Sequence, residues 1–259
     1  MYLYPLYSGS SGNSTLIEHK NTTLLVDAGV SGKSIVSALI SCDTRPERLS
    51  AILVTHEHTD HIKSVGTLSR KFDIPIFANA ATWEAMTGKI GEGSEKNIRV
   101  FDTSRDFCIG DINILPFSIP HDAADPVAFS FSAGKARASV ATDIGHVTSE
   151  IFSILSKNDI ILIESNHDID MLKKGIYPDT LKRRILGDKG HLSNESCATL
   201  LTSLYNTGVK RAILGHLSRE NNTEELAYTI ASRTISNAGI GDYMLNIAHR
   251  DRVCGKFEV

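Results

Sequence analysis

Residues 55–61 have the sequence Thr55-His56-Glu57-His58-Thr59-Asp60-His61 and directly follow the apolar run 51–54. The motif combines imidazoles with a carboxylate, and these groups are the ligands that Zn²⁺, Fe²⁺ and Mn²⁺ share. On an extended or tightly turned segment, side chains two residues apart point the same way, so His56 and His58 can bind one ion. The aspartate and the last histidine would then face a second position. A polar loop that is merely rich in histidine is the alternative, but a strand followed by such a cluster is what a metal site needs.

Length and composition indicate a soluble globular protein. The chain has 259 residues, 41% of them hydrophobic and 22% charged, and its net charge of -3 gives no basic field that would indicate a nucleic-acid partner. We expect one domain spanning 1–259, with neither a signal peptide at residues 1–5 nor a segment of membrane-spanning length. The four cysteines form no C-x-x-C motif, which favours reduced thiols and a cytoplasmic location, with a disulfide as the alternative.

The hydrophobic pattern alternates between strand-rich and helical regions along the chain. Strands are predicted at 3–7, 14–18, 23–27, 51–54, 75–77, 98–101, 107–109, 112–119, 127–133, 136–141, 160–163, 212–214 and 243–247, and helices at 31–41, 63–71, 80–87, 149–155, 195–205 and 224–237. This order favours two sheets packed face to face with helices outside each.

Three further residues follow predicted strands and could join the histidine motif. His121 comes after the strand at 112–119, Asp143 after 136–141 and His216 after 212–214. Taken singly, such a residue is more often part of a turn or a helix cap. Taken together, loops after neighbouring strands can bring these side chains to a shared edge.

The H-x-H-x-D-H pattern and the three later residues, in this order, resemble the metallo-β-lactamase superfamily. The resemblance implies a fold of the α/β (α+β) class, a four-layer αββα sandwich with two metals at one edge between the sheets. It also implies the ligands: His56, His58 and His121 for one metal, Asp60, His61 and His216 for the other, and Asp143 as the bridge. A dinuclear site of this kind indicates hydrolysis, in which Asp60 would be catalytically essential.

Asp27 lies in Leu25-Val26-Asp27-Ala28-Gly29, which resembles the first motif of the same superfamily. The resemblance implies that Asp27 holds the histidine loop by hydrogen bonds. A turn-forming aspartate is the alternative, and the two roles are compatible.

Two segments, 164–168 and 190–194, resemble the YycJ/WalJ group and, more loosely, the tRNA-maturase branch of the superfamily. In that branch a glutamate orients a histidine that protonates the leaving oxygen, so Glu164 would orient His191 as general acid. The alternative is that Glu164 closes a strand and that His191 merely precedes a helix capped by Ser193 or Asn194.

Two segments could contact a phosphate backbone. Residues 173–189 concentrate lysine and arginine, with Lys182, Arg183 and Arg184 as candidates, although a solvated helix face would look the same. The loop 8–13 is similar to the opening of the YycJ/WalJ group, and its Ser10 and Asn13 are the other candidates. A flexible hairpin connection is the alternative there.

The resemblance to the YycJ/WalJ group covers nearly the whole chain and implies a metal-dependent phosphodiesterase, a 5′→3′ DNA exonuclease with two divalent ions, Zn²⁺ or Mn²⁺, and Fe²⁺ as a further alternative. The interval between Asp143 and His216 is too short for the β-CASP domain of many relatives. The substrate groove would therefore be shallow or completed by a second subunit in a homodimer. The alternative functions are hydrolysis of small cyclic phosphodiesters and metal binding without turnover.

Overall fold

The computed structural model of the protein describes residues 1–92, 95–103 and 105–259, and its strands form two mixed sheets. The strands are β1 (Tyr2–Tyr7), β2 (Ser14–His19), β3 (Thr22–Val26), β4 (Ala51–Leu53), β5 (Ile76–Ala78), β6 (Ile98–Val100), β7 (Phe107–Ile109), β8 (Ile112–Ser118), β9 (Val127–Ala133), β10 (Ala136–Ala141), β11 (Ile160–Glu164), β12 (Arg211–Gly215), β13 (Met244–Ile247) and β14 (Phe257–Glu258). The first sheet has the order β14-β1-β2-β3-β4-β5-β6, and the second has the order β13-β12-β11-β10-β9-β8-β7.

Helices connect many of the strands, and most of them cover the outer face of a sheet. They are α1 (Gly32–Ser41), α2 (Thr59–Ile62), α3 (Val65–Phe72), α4 (Ala80–Met86), α5 (Ser149–Leu155), α6 (Ile169–Lys174), α7 (Asp179–Leu186), α8 (Asn194–Tyr205) and α9 (Glu224–Asn237). Apolar side chains of α1, α3 and α4 pack on the first sheet, and those of α5, α8 and α9 pack on the second. Among the described residues, no helix is both long and apolar enough to span a membrane.

Alternating side chains show why the central strands are apolar along their whole length. Ile160 and Leu162 of β11 lie in the core between the two sheets, whereas Ile161 and Ile163 lie in the core under α5 and α8. A strand that is covered on both faces has no solvent side, so it needs apolar residues at every position. The predicted four-layer αββα sandwich is therefore confirmed.

The direction of the strands brings several strand ends to one edge. In the first sheet β3, β4, β5 and β6 are parallel, and in the second β10, β11, β12 and β13 are parallel. Strand β8 runs in the same direction as β10 because both are antiparallel to β9. The loops that follow β3, β4, β8, β10, β11 and β12 carry the candidate site residues and start at this edge.

Most predicted elements are present, and the differences have simple causes. The helix predicted at 63–71 begins at Val65, because residues 63–64 form a turn that separates α2 from α3. Three short elements are absent from the prediction. Helix α2 has four residues, the only buried residue of α6 is Leu172, and β14 is an edge strand of two residues. Helix α7 buries none of its side chains, as expected for a solvated helix face.

Candidate metal centre

The segment after β4 presents its histidines to loops from the second sheet. His58 has extended backbone and precedes α2, so the chain turns sharply within the motif. The Nε2 atom of His56 lies 3.1 Å from Nδ1 of His58, and Nε2 of His121 lies 3.3 Å from the same atom. Imidazole nitrogens bound at about 2.0–2.1 Å to one tetrahedral ion are separated by about 3.3 Å. The first group therefore has the spacing of a metal site.

A second group lies beside the first and consists of Asp60, His61 and His216. Asp60 Oδ2 lies 3.6 Å from Nε2 of His61 and 3.8 Å from Nε2 of His216. The carboxylate of Asp143 lies between the groups, 3.3 Å from Nε2 of His61, 3.5 Å from Nε2 of His216 and 3.8 Å from Nε2 of His121. All the predicted ligands are thus brought together, with Asp143 in the central position.

Two atoms of this cluster have no hydrogen-bond partner in the part of the chain that the structure describes. They are Oδ2 of Asp143 and Nε2 of His216, and both are buried. A buried polar atom without a partner costs free energy, and a cation coordinated by these atoms removes that cost. The residues present therefore fit a divalent metal ion.

Strained backbone occurs where the site residues leave their strands. Asp27, Asp143 and His216 have φ angles of 59°, 61° and 55°, in the left-handed region that side-chain-bearing residues rarely adopt. Each directly follows a strand or lies within two residues of its end. Such conformations persist only where surrounding contacts enforce them, and they concentrate at functional sites.

Hydrogen bonds from the outer side orient the imidazole rings. Asp27 Oδ2 lies 2.7 Å from Nδ1 of His61 and also accepts from the hydroxyl of Thr55, while its Oδ1 accepts from the Thr55 N–H. The Gly190 carbonyl lies 3.2 Å from Nδ1 of His121. These partners favour the tautomer that leaves Nε2 free to bind a metal.

We expect Asp27→Asn to weaken metal binding about 10- to 100-fold, because the amide cannot replace the carboxylate as acceptor for the His61 N–H and for Thr55 together. Competition with a chelator measures the affinity, and thermal unfolding of the metal-free protein shows whether folding is retained. Asp43→Asn is the matched control, since Asp43 is an exposed aspartate with a φ of 56°. Equal metal affinity in the two variants would contradict the role of Asp27.

Glu164 is the central buried carboxylate of the second-sheet side. Its Oε1 lies 2.8 Å from Nδ1 of His191 and 2.7 Å from Nδ1 of His216, and its Oε2 accepts from the N–H groups of Ile144 and Leu192. The contact with His191 agrees with the predicted pair. The contact with His216 was not predicted. Through it, the carboxylate of Glu164 links His191, the candidate general acid, to His216, a candidate metal ligand.

A buried network of amides and hydroxyls lies behind Glu164 and is absent from the sequence-based prediction. Asn222 donates to the carbonyls of Ser165 and Asn166 and to Oδ1 of Asn194, and the Ser165 hydroxyl donates to the same Oδ1. Asn166 in turn donates to the carbonyl of His216. The network ties together the segments that carry Glu164, His191 and His216. Three asparagines near strand ends and helix starts were its only signal in the sequence.

Glu57, a further residue missed by the prediction, joins the two histidine-bearing loops. Its Oε1 accepts from the N–H of Ala124 at 3.0 Å, three residues after His121. Its Oε2 is buried without a partner among the described residues. Glu57 occupies an unassigned position of the motif, so the pattern gave no signal for this contact.

The two groups differ in their protonation. Burial and the neighbouring imidazoles hold the pKa of His56 well below its usual value, and burial also lowers the pKa of His121. Burial lowers the pKa of His61 as well, but Asp143, Asp27 and Asp60 outweigh it and raise that pKa to about 9. The pKa of His216 is raised well above its usual value, where Asp143 and Glu164 outweigh the effect of burial. A metal ion would therefore meet neutral imidazoles at His56 and His121 and displace protons from His61 and His216.

The carboxylates of the site are held ionised by their histidine neighbours. Burial raises the pKa of Asp60, Asp143 and Glu164, but the adjacent imidazoles outweigh it and hold each pKa below its usual value. Ionised carboxylates are the form that binds a cation.

The predicted substrate-binding residues lie at different distances from the cluster. The amide Nδ2 of Asn13 is buried 3.1 Å from Nε2 of His61, whereas Ser10 is exposed on the same loop. Arg184 donates two hydrogen bonds to Asp122, the residue after His121. Lys182 donates to the Lys173 carbonyl, and Arg183 is exposed on α7.

Comparison with known proteins gives consistent results at the levels of domain, sequence and fold. Residues 22–217 match the family model described as the beta-lactamase superfamily domain. The chain is 42% identical to exodeoxyribonuclease WalJ of Streptococcus pneumoniae over 91% of this chain and 88% of the relative. It is 38% identical to exodeoxyribonuclease YycJ of Bacillus anthracis over 91% of this chain and 89% of the relative.

Solved structures share the fold at low sequence identity. Zn²⁺-bound PqqB from Methylobacterium extorquens has a TM-score of 0.79 at 16% identity and covers 100% of both chains. The short form of human tRNase Z has a TM-score of 0.66 at 16% identity, over 98% of this chain and 99% of that chain. At this identity the likeness concerns the fold alone.

Proposed function

The chain belongs to the beta-lactamase superfamily, and from this premise we propose that it is a metal-dependent exodeoxyribonuclease that removes nucleotides from the 5′ end of DNA. The observation that carries the proposal is the position of His191 beside the metal-type cluster. Its Nδ1 lies 3.8 Å from Oδ1 of Asp143 and 2.8 Å from Oε1 of Glu164, and its side chain is 19% exposed. The two relatives named as exodeoxyribonucleases support the choice of DNA as substrate.

We propose two divalent ions, Zn²⁺ or Mn²⁺ with Fe²⁺ as an alternative, as the cofactors. His56, His58 and His121 would hold one ion, Asp60, His61 and His216 the other, and Asp143 would contact both. When bound, such a pair activates water and neutralises phosphate oxygens. The carboxylates of Asp60 and Asp143 supply the negative charge that keeps two cations close together.

His191 is proposed as the general acid for the departing oxygen. Nδ1 of the ring faces Oε1 of Glu164, so the ring orientation is set and Nε2 is the nitrogen that can carry a proton to the substrate. The Leu192 N–H bonds to the other oxygen of the same carboxylate at 3.0 Å, which also holds the backbone of the loop. Glu164 is thus proposed as a positioning residue for His191.

Arg184 and Asn13 are the residues best placed to bind a phosphate near the cluster. Arg184 donates two hydrogen bonds to Asp122, and Oδ1 of Asp122 lies 3.5 Å from Nε2 of His121, so the guanidinium lies near the first ligand group. Its side chain is 53% exposed and can reach a substrate. The basic stretch of α7 can therefore contact the backbone of DNA at Arg184 although the remainder of the helix is solvated.

Arg184→Gln is expected to raise the KM for DNA about tenfold and to reduce the slope of log K against log salt concentration by about one. The loss of one cation from the phosphate contacts is the physical reason. Arg233→Gln on α9 is the control, because Arg233 is exposed outside the described cluster. An unchanged salt slope in Arg184→Gln would remove this residue from the substrate-binding role.

Digestion of linear duplex DNA labelled at either the 5′ or the 3′ end tests the proposed function. Metal-loaded protein should release the 5′ label first, as mononucleotides, and His58→Ala should not. Metal binding without digestion of DNA would overturn the proposal. It would favour a phosphodiesterase for small cyclic substrates, which the net charge of -3 also suits, if an activated small phosphodiester is hydrolysed. The homodimer and the cytoplasmic location stay predictions, and light scattering tests the first.

A further inference from the structure

An open groove lies next to His191 on the outer side of the second sheet. Its volume is about 470 Å³, within the range of about 300–1,000 Å³ that small-molecule sites occupy. One wall is the loop after β10, from Gly145 to Val147, and the other is the start of α8 with Leu192 and Glu195. Phe152 of α5 lines the same groove.

Two residues that line the groove lie close to the candidate metal centre. Gly145 follows Asp143 by two residues, and its N–H donates to the Pro120 carbonyl beside His121. Leu192 directly follows His191, and its N–H is bonded to Glu164. The carboxylate that contacts His191 therefore also holds the backbone of Leu192, which lines the groove.

The chemistry of the walls suits a nucleoside better than a phosphate. Four apolar side chains, those of Val147, Phe152, Leu192 and Leu200, line the groove with three hydroxyls, those of Ser196, Thr199 and Ser203. Glu195, whose carboxylate repels phosphate, and His146, whose Nδ1 lies 2.9 Å from the Asp188 carbonyl, complete the lining together with Gly145. A base can stack against the apolar wall, and hydroxyls can donate to or accept from the edge of any base.

We propose that this groove binds the 5′-terminal nucleoside of the DNA, the group that departs on the oxygen protonated by His191. The proposal rests on the proposed function, because it places the leaving group on the His191 side of the scissile phosphate. The groove admits a nucleoside of any base, so the enzyme can bind the terminal nucleoside without sequence preference.

Binding of thymidine 3′-monophosphate to the metal-loaded protein tests this inference, because its phosphate stands for the scissile group and its nucleoside for the departing one. We expect it to bind about tenfold more tightly than inorganic phosphate, an advantage of the size that base stacking provides. Thymidine 5′-monophosphate, which places the nucleoside on the other side of the phosphate, should have a smaller advantage. Calorimetric titration measures all three ligands.

Thr199→Trp fills the groove from the exposed face of α8 and should abolish the advantage of the 3′-monophosphate while leaving phosphate binding unchanged. Thr229→Trp on the exposed face of α9 is the matched control. If thymidine 3′-monophosphate instead bound more tightly to Thr199→Trp, its base would be stacking on the new indole, and this result would also place the base in the groove. The inference would be overturned if the native protein bound thymidine 3′-monophosphate no more tightly than inorganic phosphate. It would also be overturned if Thr199→Trp left the difference between these two ligands unaltered. Failure to digest DNA with this binding pattern intact would instead overturn the proposed function, and the groove would remain a binding site for a nucleoside 3′-phosphate.

Discussion

His58→Ala is expected to reduce DNA hydrolysis by about a thousandfold or more while the protein remains folded. His58 Nδ1 lies within 3.1 Å of His56 Nε2 and 3.3 Å of His121 Nε2, so its loss removes one of three ligands from the first group. The side chain is partly exposed, and it makes no capping hydrogen bond to α2. Its removal therefore costs little packing and little helix stability.

Activity, metal content and thermal unfolding of the metal-free protein together check this prediction. We expect the metal content of His58→Ala to fall and the unfolding temperature of the metal-free forms to agree closely. His19→Ala is the control, because His19 lies at the end of β2 and belongs to none of the metal-type groups of the described residues. A His58→Ala protein that kept most of its activity would show the dinuclear mechanism to be wrong.

His191→Ala is expected to slow the hydrolysis of DNA by about 10²- to 10⁴-fold, the usual contribution of a general acid. Hydrolysis of bis-p-nitrophenyl phosphate should fall far less, because p-nitrophenolate departs without being protonated. His191 lies in a group of metal-type side chains with Asp143, Glu164 and His216, but it is not one of the seven proposed ligands, so metal content should be unchanged. The ratio of the two rates in one enzyme preparation measures the effect independently of protein concentration.

The control for His191→Ala is His249→Ala. Nδ1 of His249 lies 3.0 Å from the carboxylate of Glu224, and its side chain is 23% exposed, so it is a second half-buried histidine–glutamate pair. This variant should hydrolyse both substrates at rates close to those of the native protein. If His191→Ala slowed both substrates equally, His191 could not be the acid for the leaving oxygen.

Much of the fold could be predicted because the signals are local. Apolar runs of strand length and apolar residues at helical spacing gave most elements with boundaries close to those observed, as at 127–133 and 224–237. Elements without such a signal were missed, since α2, α6 and β14 bury few apolar residues. The candidate ligands were recognised from the resemblance of their motifs to the metallo-β-lactamase superfamily, and their positions just after predicted strands agreed with it.

Contacts between distant segments could not be predicted in the same way. The contact of Glu164 with His216 joins residues 52 positions apart, and that of Asp27 with His61 joins residues 34 positions apart. Spacing along the chain does not predict which of several strand-end carboxylates contacts which histidine. The asparagine network and the contact of Glu57 with Ala124 depend on the same packing of loops from two sheets.

By itself the sequence determined the order of strands and helices, because this order follows from apolar periodicity. The four layers and the set of candidate ligands were implied by the resemblance of the histidine and aspartate motifs to the metallo-β-lactamase superfamily. Only the tertiary structure decided that one buried glutamate contacts both His191 and His216, and that Leu192 and the loop after β10 line a common groove. The physical reason is that each of these depends on the relative position of the two sheets, which is set by the core between them rather than by any local segment.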